Sequence, residues 1–155
     1  MTIDERLLAI PRDISNFVFY YNKDIVRENI DRNIDMDEFY ELVKKYSSDK
    51  HFGISYERDI VKAEPYLLTL GFKDGIDLYK SLEGKYAPTP ANIGSSTLAQ
   101  MFIEGKIIFY LSGRWMYPKI KESSKFAYGT IPFPGTTYAD TSGWAISRST
   151  KHKTS

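Results

Sequence analysis

A continuous apolar run of strand length, Ile107–Leu111, constrains the fold of this chain more than any other feature. Unbroken apolar runs of this length are typical of strands that are covered on both faces. Gly105 precedes the run and can adopt the left-handed conformation that ends a helix. Three apolar residues at helical spacing come before it: Leu98, Met101 and Phe102. Residues 101–121 therefore predict the end of a helix, a buried strand, a tight turn and a second helix.

The turn that follows this strand, Ser112-Gly113-Arg114-Trp115, is the candidate binding position. Open α/β sheets place their ligands at the carboxyl ends of strands, where Arg114 and Trp115 are expected to lie. Arg114 offers a planar fork of hydrogen-bond donors and Trp115 a flat apolar face. Together they suit a sugar, which has hydroxyls on its edges and C–H groups on its faces. On position alone, Trp115 can also be a core residue and Arg114 a surface ion-pair partner.

Short strands and amphipathic helices alternate along the rest of the chain. The predicted elements are, in order, a strand before a bend at Pro11, a strand at 17–21, a helix capped by Asp35 and Glu38 that runs to about Tyr46, a strand at 52–55, a helix from Asp59 to Gly71 that contains Pro65, a helix at 73–82, an extended joint at 87–90, a helix capped by Ser95-Ser96, a strand at 126–131, a loop at 135–142 and a strand at 144–146. The helix after Asp59 is expected to turn Ile60 and Ala63 inward, with Leu67 and Leu70. This alternation predicts an α/β sandwich around a mostly parallel sheet.

The size and charge of the chain limit what it can do. With 155 residues, 42% of them hydrophobic, it has one domain's worth of chain and enough apolar side chains for a core. The formal net charge is +1 without blocks of one sign, so nothing indicates nucleic acid or an anionic membrane as a partner. The sequence has no cysteine, which excludes disulfides and cysteine-ligated metals. Residues 1–6 lack the apolar core of a signal peptide, as expected of a cytosolic protein or a piece of a longer one.

Four short motifs occur in order along the chain. They are Ile10-Pro11-Arg12-Asp13 with Tyr20-Tyr21-Asn22-Lys23-Asp24; Asp37-Glu38-Phe39; Phe102-Ile103-Glu104-Gly105-Lys106 with Gly113-Arg114-Trp115; and Ser142-Gly143-Trp144-Ala145-Ile146-Ser147 with Lys151-His152-Lys153. In this order they span almost the whole chain. They resemble the extracellular solute-binding proteins that feed carbohydrate ABC importers, a family that includes the maltodextrin-binding proteins.

This resemblance implies one lobe of a type II periplasmic-binding-protein-like fold. Residues 1–23 would be hinge or crossover strands from a missing first lobe, 24–142 the α/β ligand-binding lobe, and 143–155 a returning crossover strand and a truncated end. Members of the family carry a secretion or lipoprotein signal and a whole amino-terminal lobe before the matching part. The chain is therefore expected to be a fragment of an extracytoplasmic protein, either a cell-surface lipoprotein or a periplasmic one. Such a fragment is expected to expose Phe17 and Phe19 and to self-associate through this hinge-side face.

The resemblance also implies which residues contact a mono- or oligosaccharide. The implied contacts are Gly113, Arg114 and Trp115 after the central strand; Tyr56, Glu57 and Arg58 in another strand-to-helix loop; Arg12, Asp13 and Ser15 in the first crossover; and Gly143 and Trp144 in the returning crossover. Trp115 would stack on the sugar, while Arg114, Asp13 and the loop at 56–58 would take hydroxyls. That loop can also be a solvated helix cap, and Trp144 a core residue. Neither a metal nor a cofactor is implied, and the other expected partners are the permease subunits of an ABC importer.

Other functions leave recognisable signals, most of which the sequence lacks. It has no glycine-rich phosphate loop, no metal-binding spacing of His51 and His152, and no Gly-x-Ser-x-Gly nucleophile elbow. Glu57 and Asp140 could form the carboxylate pair of a glycoside hydrolase, and a generic protein-interaction domain is a further alternative. The interpretation that covers most of the motifs is non-catalytic capture of a saccharide between two lobes that close about a hinge.

Overall fold

The structure, a computed structural model, describes residues 2, 3, 6, 7, 9–89, 93–147 and 149–151. Pro90 of the predicted joint, and His152 and Lys153 of the last motif, lie outside these residues. The chain forms two compact units, one of Met1–Asn16 with Ala139–Ser155 and one of Phe17–Tyr138. The division into hinge strands and a ligand-binding lobe stays a prediction.

The described residues form eight strands and five α-helices. The strands are β1 (Thr2–Ile3), β2 (Arg6–Leu7), β3 (Ile10–Ser15), β4 (Phe17–Asn22), β5 (Phe52–Ile54), β6 (Ile107–Gly113), β7 (Tyr128–Pro132) and β8 (Asp140–Trp144). The helices are α1 (Met36–Tyr46), α2 (Ile60–Leu70), α3 (Phe72–Leu82), α4 (Ser95–Ile103) and α5 (Tyr117–Ser123), and a 3-10 turn at Arg114–Met116 connects β6 to α5. The predicted order of helix, strand, turn and helix at 101–121 is confirmed.

The first unit contains two antiparallel strand pairs. β1 pairs with β2, and β3 pairs with β8 so that Pro11 lies opposite Gly143. The register shifts between Pro11 and Asp13, and the proline therefore lies in an irregular part of a continuous strand rather than at the predicted bend. β8 begins at Asp140, so the predicted loop at 135–142 is too long, and the strand predicted at 144–146 starts earlier. The pairing with β3 accounts for this difference, because it extends the strand towards its amino end.

The second unit is built on a four-stranded sheet in the order β5-β6-β4-β7. β5 and β6 are parallel, whereas β4 is antiparallel to both β6 and β7. The α/β class is confirmed, but the expectation of a mostly parallel sheet is wrong, since the sheet is mixed. The reason is that β4 pairs with strands that come much later in the chain, and the local alternation of elements does not encode the direction of such a pairing.

This sheet is covered on both faces, and every residue of β6 is buried. One face packs against α1, α2 and α3, and its core includes Phe19, Phe39 and Phe109. The other face packs against α4 and α5 through residues such as Phe102 and Ile120. The prediction that the run at 107–111 is a strand covered on both sides is therefore confirmed.

Phe17 and Phe19 are both buried, and the expectation that they form an exposed hinge-side face is wrong. The ring of Phe17 makes edge contacts with Trp115 and Tyr138, and the ring of Phe19 packs on Phe39 and Phe133. All these rings belong to the second unit, so residues of the same unit shield Phe17 and Phe19 from solvent. Self-association through these two residues is therefore not expected.

Two of the predicted helix starts are confirmed. The amide of Glu38 donates to the Asp35 carboxylate at 2.8 Å, and the amide of Val61 donates to the Asp59 carboxylate at 2.9 Å. The prediction that Ser95-Ser96 caps α4 is wrong, because the residue before the helix is Gly94 and no side chain caps it. The hydroxyl of Ser95 instead donates to a carboxylate that lies in the loop after β5, as described below.

Helix ends and helix faces show one confirmation and one correction. Gly105 has a φ of +76°, and the amide of Lys106 donates to the carbonyl of Met101, as expected of a glycine helix stop. Ile60 does not point inward, since it is 66% exposed as the first residue of α2, and the buried stripe begins one turn later at Ala63.

No helix in the described ranges is long and apolar enough to cross a membrane.

Candidate functional site

The parallel strands β5 and β6 end at the same edge of the sheet. Phe52 lies opposite Ile107 and Ile54 opposite Phe109, so the loops that follow both strands leave on one side. These are the loop at Tyr56–Arg58 and the turn at Gly113–Trp115. The sequence-based expectation that both loops lie at one edge is therefore confirmed, although the rest of the sheet is not parallel.

Trp115 rests against the backbone of Gly113. A methyl group at Gly113 would overlap the six-membered ring of the indole, so only glycine leaves room for this arrangement. The Phe17 ring meets the indole edge-on, with ring centroids 6.0 Å apart and an interplanar angle of 73°. Trp115 is nevertheless 54% exposed. It is therefore not a core residue, but a supported aromatic ring that is open to solvent.

The backbone beneath the indole is held from the other face of the sheet. The Tyr20 hydroxyl donates to the Gly113 carbonyl at 3.1 Å, and this bond is buried. Burial, followed by the effects of Tyr128, Tyr110 and Tyr117, raises the pKa of Tyr20 to about 12. The hydroxyl therefore stays protonated and remains a donor. Sequence analysis assigned Tyr20 to a motif but not to this role.

Glu57 is held by other parts of the protein. Its carboxylate accepts a hydrogen bond from the Ser95 hydroxyl at 2.5 Å, and Lys62 Nζ lies 3.9 Å from its other oxygen. The Tyr79 hydroxyl donates to the backbone carbonyl of Glu57 at 2.6 Å. The Glu57 side chain is only 12% exposed. It is not a solvated helix cap, and its position is fixed from three helices.

Lys62 is a site residue that the sequence analysis missed. Its ammonium lies 4.4 Å from the centroid of the Phe17 ring, which also contacts Trp115, and its side chain is 12% exposed. Burial lowers the pKa of Lys62, while Glu57 and Asp59 act in the opposite direction. The available signal was the place of Lys62 beside Ala63, on the part of α2 that faces the core.

Tyr56 and Arg58 face away from Glu57. They line a groove of about 490 Å³ with Ile60, Ala63 and other side chains of α2 and α3. Arg58 donates to both oxygens of Glu83, at 3.2 and 2.5 Å, and this hydrogen bond lowers the pKa of the Glu83 carboxyl. The three loop residues therefore do not form one group, because Glu57 points to Lys62 while its neighbours point to α3.

Arg114 is exposed and makes no ion pair with any residue that the structure describes. Its guanidinium therefore keeps its hydrogen-bond donors available. At this edge of the second unit, Arg114 and Trp115 are open to solvent, whereas Glu57 and Lys62 are largely covered.

The remaining predicted residues lie in the first unit. The Arg12 guanidinium lies 5.4 Å from the centroid of the Trp144 ring and 3.5 Å from the Asp13 carboxylate. Trp144 is 67% exposed, so the alternative that it is a core residue is wrong. The Ser15 hydroxyl is buried without a hydrogen-bond partner among the residues that the structure describes. Gly143 lies opposite Pro11 in the β3–β8 pair.

A metal site is not apparent in the described part of the chain. Within these residues there is no group of three or more histidine, cysteine, aspartate or glutamate side chains that could hold a metal ion. The chemistry of the described groups is that of hydrogen bonding, charge pairing and aromatic stacking.

The sequence itself defines the class of protein. Residues 2–154 match the family of bacterial extracellular solute-binding proteins, and the chain belongs to this family. This is a family of binding proteins rather than enzymes, and the resemblance found in the four motifs is confirmed.

Two relatives illustrate the similarity. The maltodextrin-binding protein of Bacillus subtilis is 23% identical, over 97% of this chain and 44% of the relative. The galactooligosaccharide-binding protein of the same organism is 25% identical, over 73% of this chain and 33% of the relative. The chain thus spans less than half the length of either relative.

Solved structures with the same fold match almost the whole chain. An ABC substrate-binding protein from Listeria monocytogenes in complex with cycloalternan has a TM-score of 0.82 at 17% identity, over 97% of this chain and 46% of that one. The maltose/maltodextrin-binding domain of Bdellovibrio bacteriovorus bound to maltotriose has a TM-score of 0.80 at 18% identity, over 98% and 48%. The predicted periplasmic-binding-protein-like fold is therefore confirmed over about half the length of such proteins.

Proposed function

We propose that this protein binds a saccharide without transforming it, as the substrate-binding component of an ABC sugar importer. The observation that carries the proposal is Trp115, a large aromatic ring that Gly113 and Phe17 support while it stays open to solvent at the sheet edge. A flat, exposed and rigid ring suits stacking on the C–H face of a pyranose. The two Bacillus relatives are named for maltodextrin and galactooligosaccharide, which supports an oligosaccharide as the ligand.

Each predicted contact has a role in this proposal. Trp115 stacks on the sugar, and Arg114 donates to its oxygen atoms from the adjacent position. Glu57 presents a carboxylate that Ser95 and Lys62 keep in place. Tyr56 and Arg58 act less directly, by fixing the loop against α3. The family resemblance predicts further ligand contacts in the first unit, namely Arg12, Asp13, Ser15, Gly143 and Trp144.

The proposal extends to the protein beyond this chain. In the whole protein, residues 1–23 and 143–155 act as hinge strands, and a second lobe closes over the sugar held by residues 24–142. The closed form then engages the permease subunits of the importer. The family is described as extracellular, and we place the protein outside the cytoplasm, as a surface lipoprotein or in the periplasm.

The test is truncation of Trp115 in the full-length gene product that contains this chain. Loss of a central stacked aromatic ring commonly costs about 2 kcal/mol or more, so Trp115→Ala should weaken sugar binding by roughly 30-fold, measured by calorimetry. Trp115→Phe should be milder. Phe72→Ala, which removes an exposed ring at the start of α3, serves as the control and should leave affinity unchanged. A folded Trp115→Ala variant with the affinity of the parent would contradict the proposal.

The glycoside hydrolase alternative gives a separate outcome. If Glu57 were catalytic, the protein would release reducing sugar from oligosaccharides, and Glu57→Gln would abolish that release. We expect no release, because both Glu57 oxygens face other groups of the protein. Turnover in a preparation free of contaminating enzymes would favour the hydrolase instead.

A further inference from the structure

Lys62 is a covered cation whose pairing is incomplete. Its side chain is 12% exposed, and its ammonium lies over the Phe17 ring. The Glu57 oxygen that faces it is 3.9 Å away, which is too far for a hydrogen bond. A desolvated ammonium without a close acceptor is unfavourable, and the lowered pKa of Lys62 reflects this burial.

Glu57 is not free to complete that pair. Its second oxygen accepts from the Ser95 hydroxyl at 2.5 Å, and Tyr79 holds its backbone carbonyl. Movement of the carboxylate towards Lys62 would therefore act against its hydrogen bond from Ser95. Asp59, the other carboxylate that acts on Lys62, accepts from the amide of Val61, and no acceptor among the described residues lies within hydrogen-bond distance of the ammonium.

The edge around Trp115 offers many donors and few acceptors. Arg114 has no ion pair among the described residues, and its fork presents up to five N–H groups. Lys62 adds its ammonium, whereas the carboxylate of Glu57 is already occupied. Neutral sugars both donate and accept hydrogen bonds, so the few acceptors at this edge would leave some of the sugar's hydroxyl donors without a protein partner. A ligand rich in acceptors, and above all a negatively charged one, fits this edge better.

We infer that the saccharide bound at this edge is acidic, with a carboxylate such as that of a uronic acid unit, which pairs with Lys62 and Arg114. Lys62 and Trp115 contact the same ring, Phe17, so one sugar can stack on the indole and reach the ammonium. This inference rests on the proposed function and narrows the class of its ligand. It adds Lys62 to the residues that determine specificity.

The experiment compares acidic sugars with their neutral counterparts in the full-length gene product that contains this chain. The pairs are digalacturonate with galactobiose and cellobiouronate with cellobiose, titrated by calorimetry at physiological salt, with maltotriose as a further neutral sugar. In at least one pair, the acid should bind at least about tenfold more tightly, which corresponds to about 1.4 kcal/mol. Lys62→Met should remove this preference, so that the acid binds no more tightly than its neutral counterpart. Lys62→Arg should retain the preference.

The control is Lys73→Met, which removes the same charge from an exposed position of the second unit and should change nothing. If Lys62→Met does not fold, Glu57→Gln serves instead. Loss of the competing carboxylate should strengthen binding of the acid by several-fold, and unchanged or weaker binding would contradict the inference.

The possible failures are distinct. If neutral sugars bind as tightly as the acids, or if only a neutral sugar binds, the protein is a sugar-binding protein and the inference about acidity is wrong. If the folded protein binds none of these sugars or any other of a broad panel, both the inference and the proposed function are wrong.

Discussion

The loop after β5 and the loop after β6 leave the same sheet edge but differ in what holds their side chains. In the first loop, Glu57 is fixed by Ser95 and Lys62, and Arg58 by Glu83. In the second, Arg114 and Trp115 remain exposed, and only the backbone of Gly113 is held from below. The side chains of the first loop are therefore held mainly by the protein, whereas those of the second loop are open to solvent.

The difference follows from what comes next along the chain. The first loop leads into α2, which packs closely against α3, and the start of α4 also reaches this loop through Ser95. The second loop leads through a 3-10 turn into α5, which is only seven residues long. Position at a strand end thus predicts that two loops are near each other. It does not predict which side chains are free to bind.

The largest expected effect is that of Gly113→Ala on the exposed loop. The added methyl group overlaps the indole, so Trp115 must leave its support, and affinity for the sugar should fall about as far as in Trp115→Ala, by roughly 30-fold. Stability should change less than affinity, because the displaced indole can move into solvent. Calorimetry and urea unfolding measure the two effects. Affinity equal to that of the parent would show that the position of the indole on Gly113 is unimportant.

The second prediction concerns the loop after β5. Glu57→Ala leaves Lys62 covered without its carboxylate and Ser95 without its acceptor, which should lower the free energy of unfolding by about 1–3 kcal/mol. Asp77→Ala, which breaks an exposed pair with Lys73, should cost less than about 1 kcal/mol and is the matched control. Equal losses in urea unfolding would mean that the first loop is no more tightly held than an ordinary surface pair.

A smaller effect is expected from Tyr20→Phe, which removes the buried hydrogen bond to the Gly113 carbonyl and little else. One such bond is worth about 1 kcal/mol, and the buried carbonyl loses a partner. Affinity should fall by a few-fold, because the turn beneath Trp115 is less well fixed. Tyr40→Phe, which removes a hydroxyl of α1 that contacts Ser81, is the control. If both variants bind sugar alike, the bond from Tyr20 does not position the indole.

The smallest expected effect is a pH dependence of the pair that ties the first loop to α3. The hydrogen bond from Arg58 holds the pKa of Glu83 below its ordinary value of 4.5 in the folded protein. The pair therefore stabilises the fold above that value, and this contribution is lost as the pH falls through the lowered pKa. Arg58→Ala should flatten the decline in melting temperature below pH 4.5. An identical decline in parent and variant would show that the pair contributes nothing.

Features encoded in neighbouring residues could be predicted from the sequence. The stretch at 101–121, the helix stop at Gly105 and the caps at Asp35 and Asp59 depend on contacts over a few positions, and all are confirmed. The closeness of the loops after β5 and β6 followed from the parallel direction of two buried strands.

Features that depend on distant partners could not be predicted. Ser95 was expected to cap its own helix, but its hydroxyl can satisfy either that helix or Glu57, 38 residues away, and only the fold decides between them. The role of Lys62, on α2, likewise depends on Phe17, which lies on strand β4. A lysine in an amphipathic helix is normally assigned to the solvated face, and its place beside Ala63 is only a weak sign of burial.

The position of β4 in the sheet has a consequence for the synthesis of the protein. β4 is made before both of its partners, β6 and β7, which end only at Gly113 and Pro132. The aromatic segment Phe17–Tyr21 therefore stays unpaired until β6 has been made. Pairings so remote in sequence slow folding, and an unpaired apolar strand is prone to aggregate in the meantime. A nascent or prematurely terminated chain that stops before Tyr128 leaves one edge of this strand open.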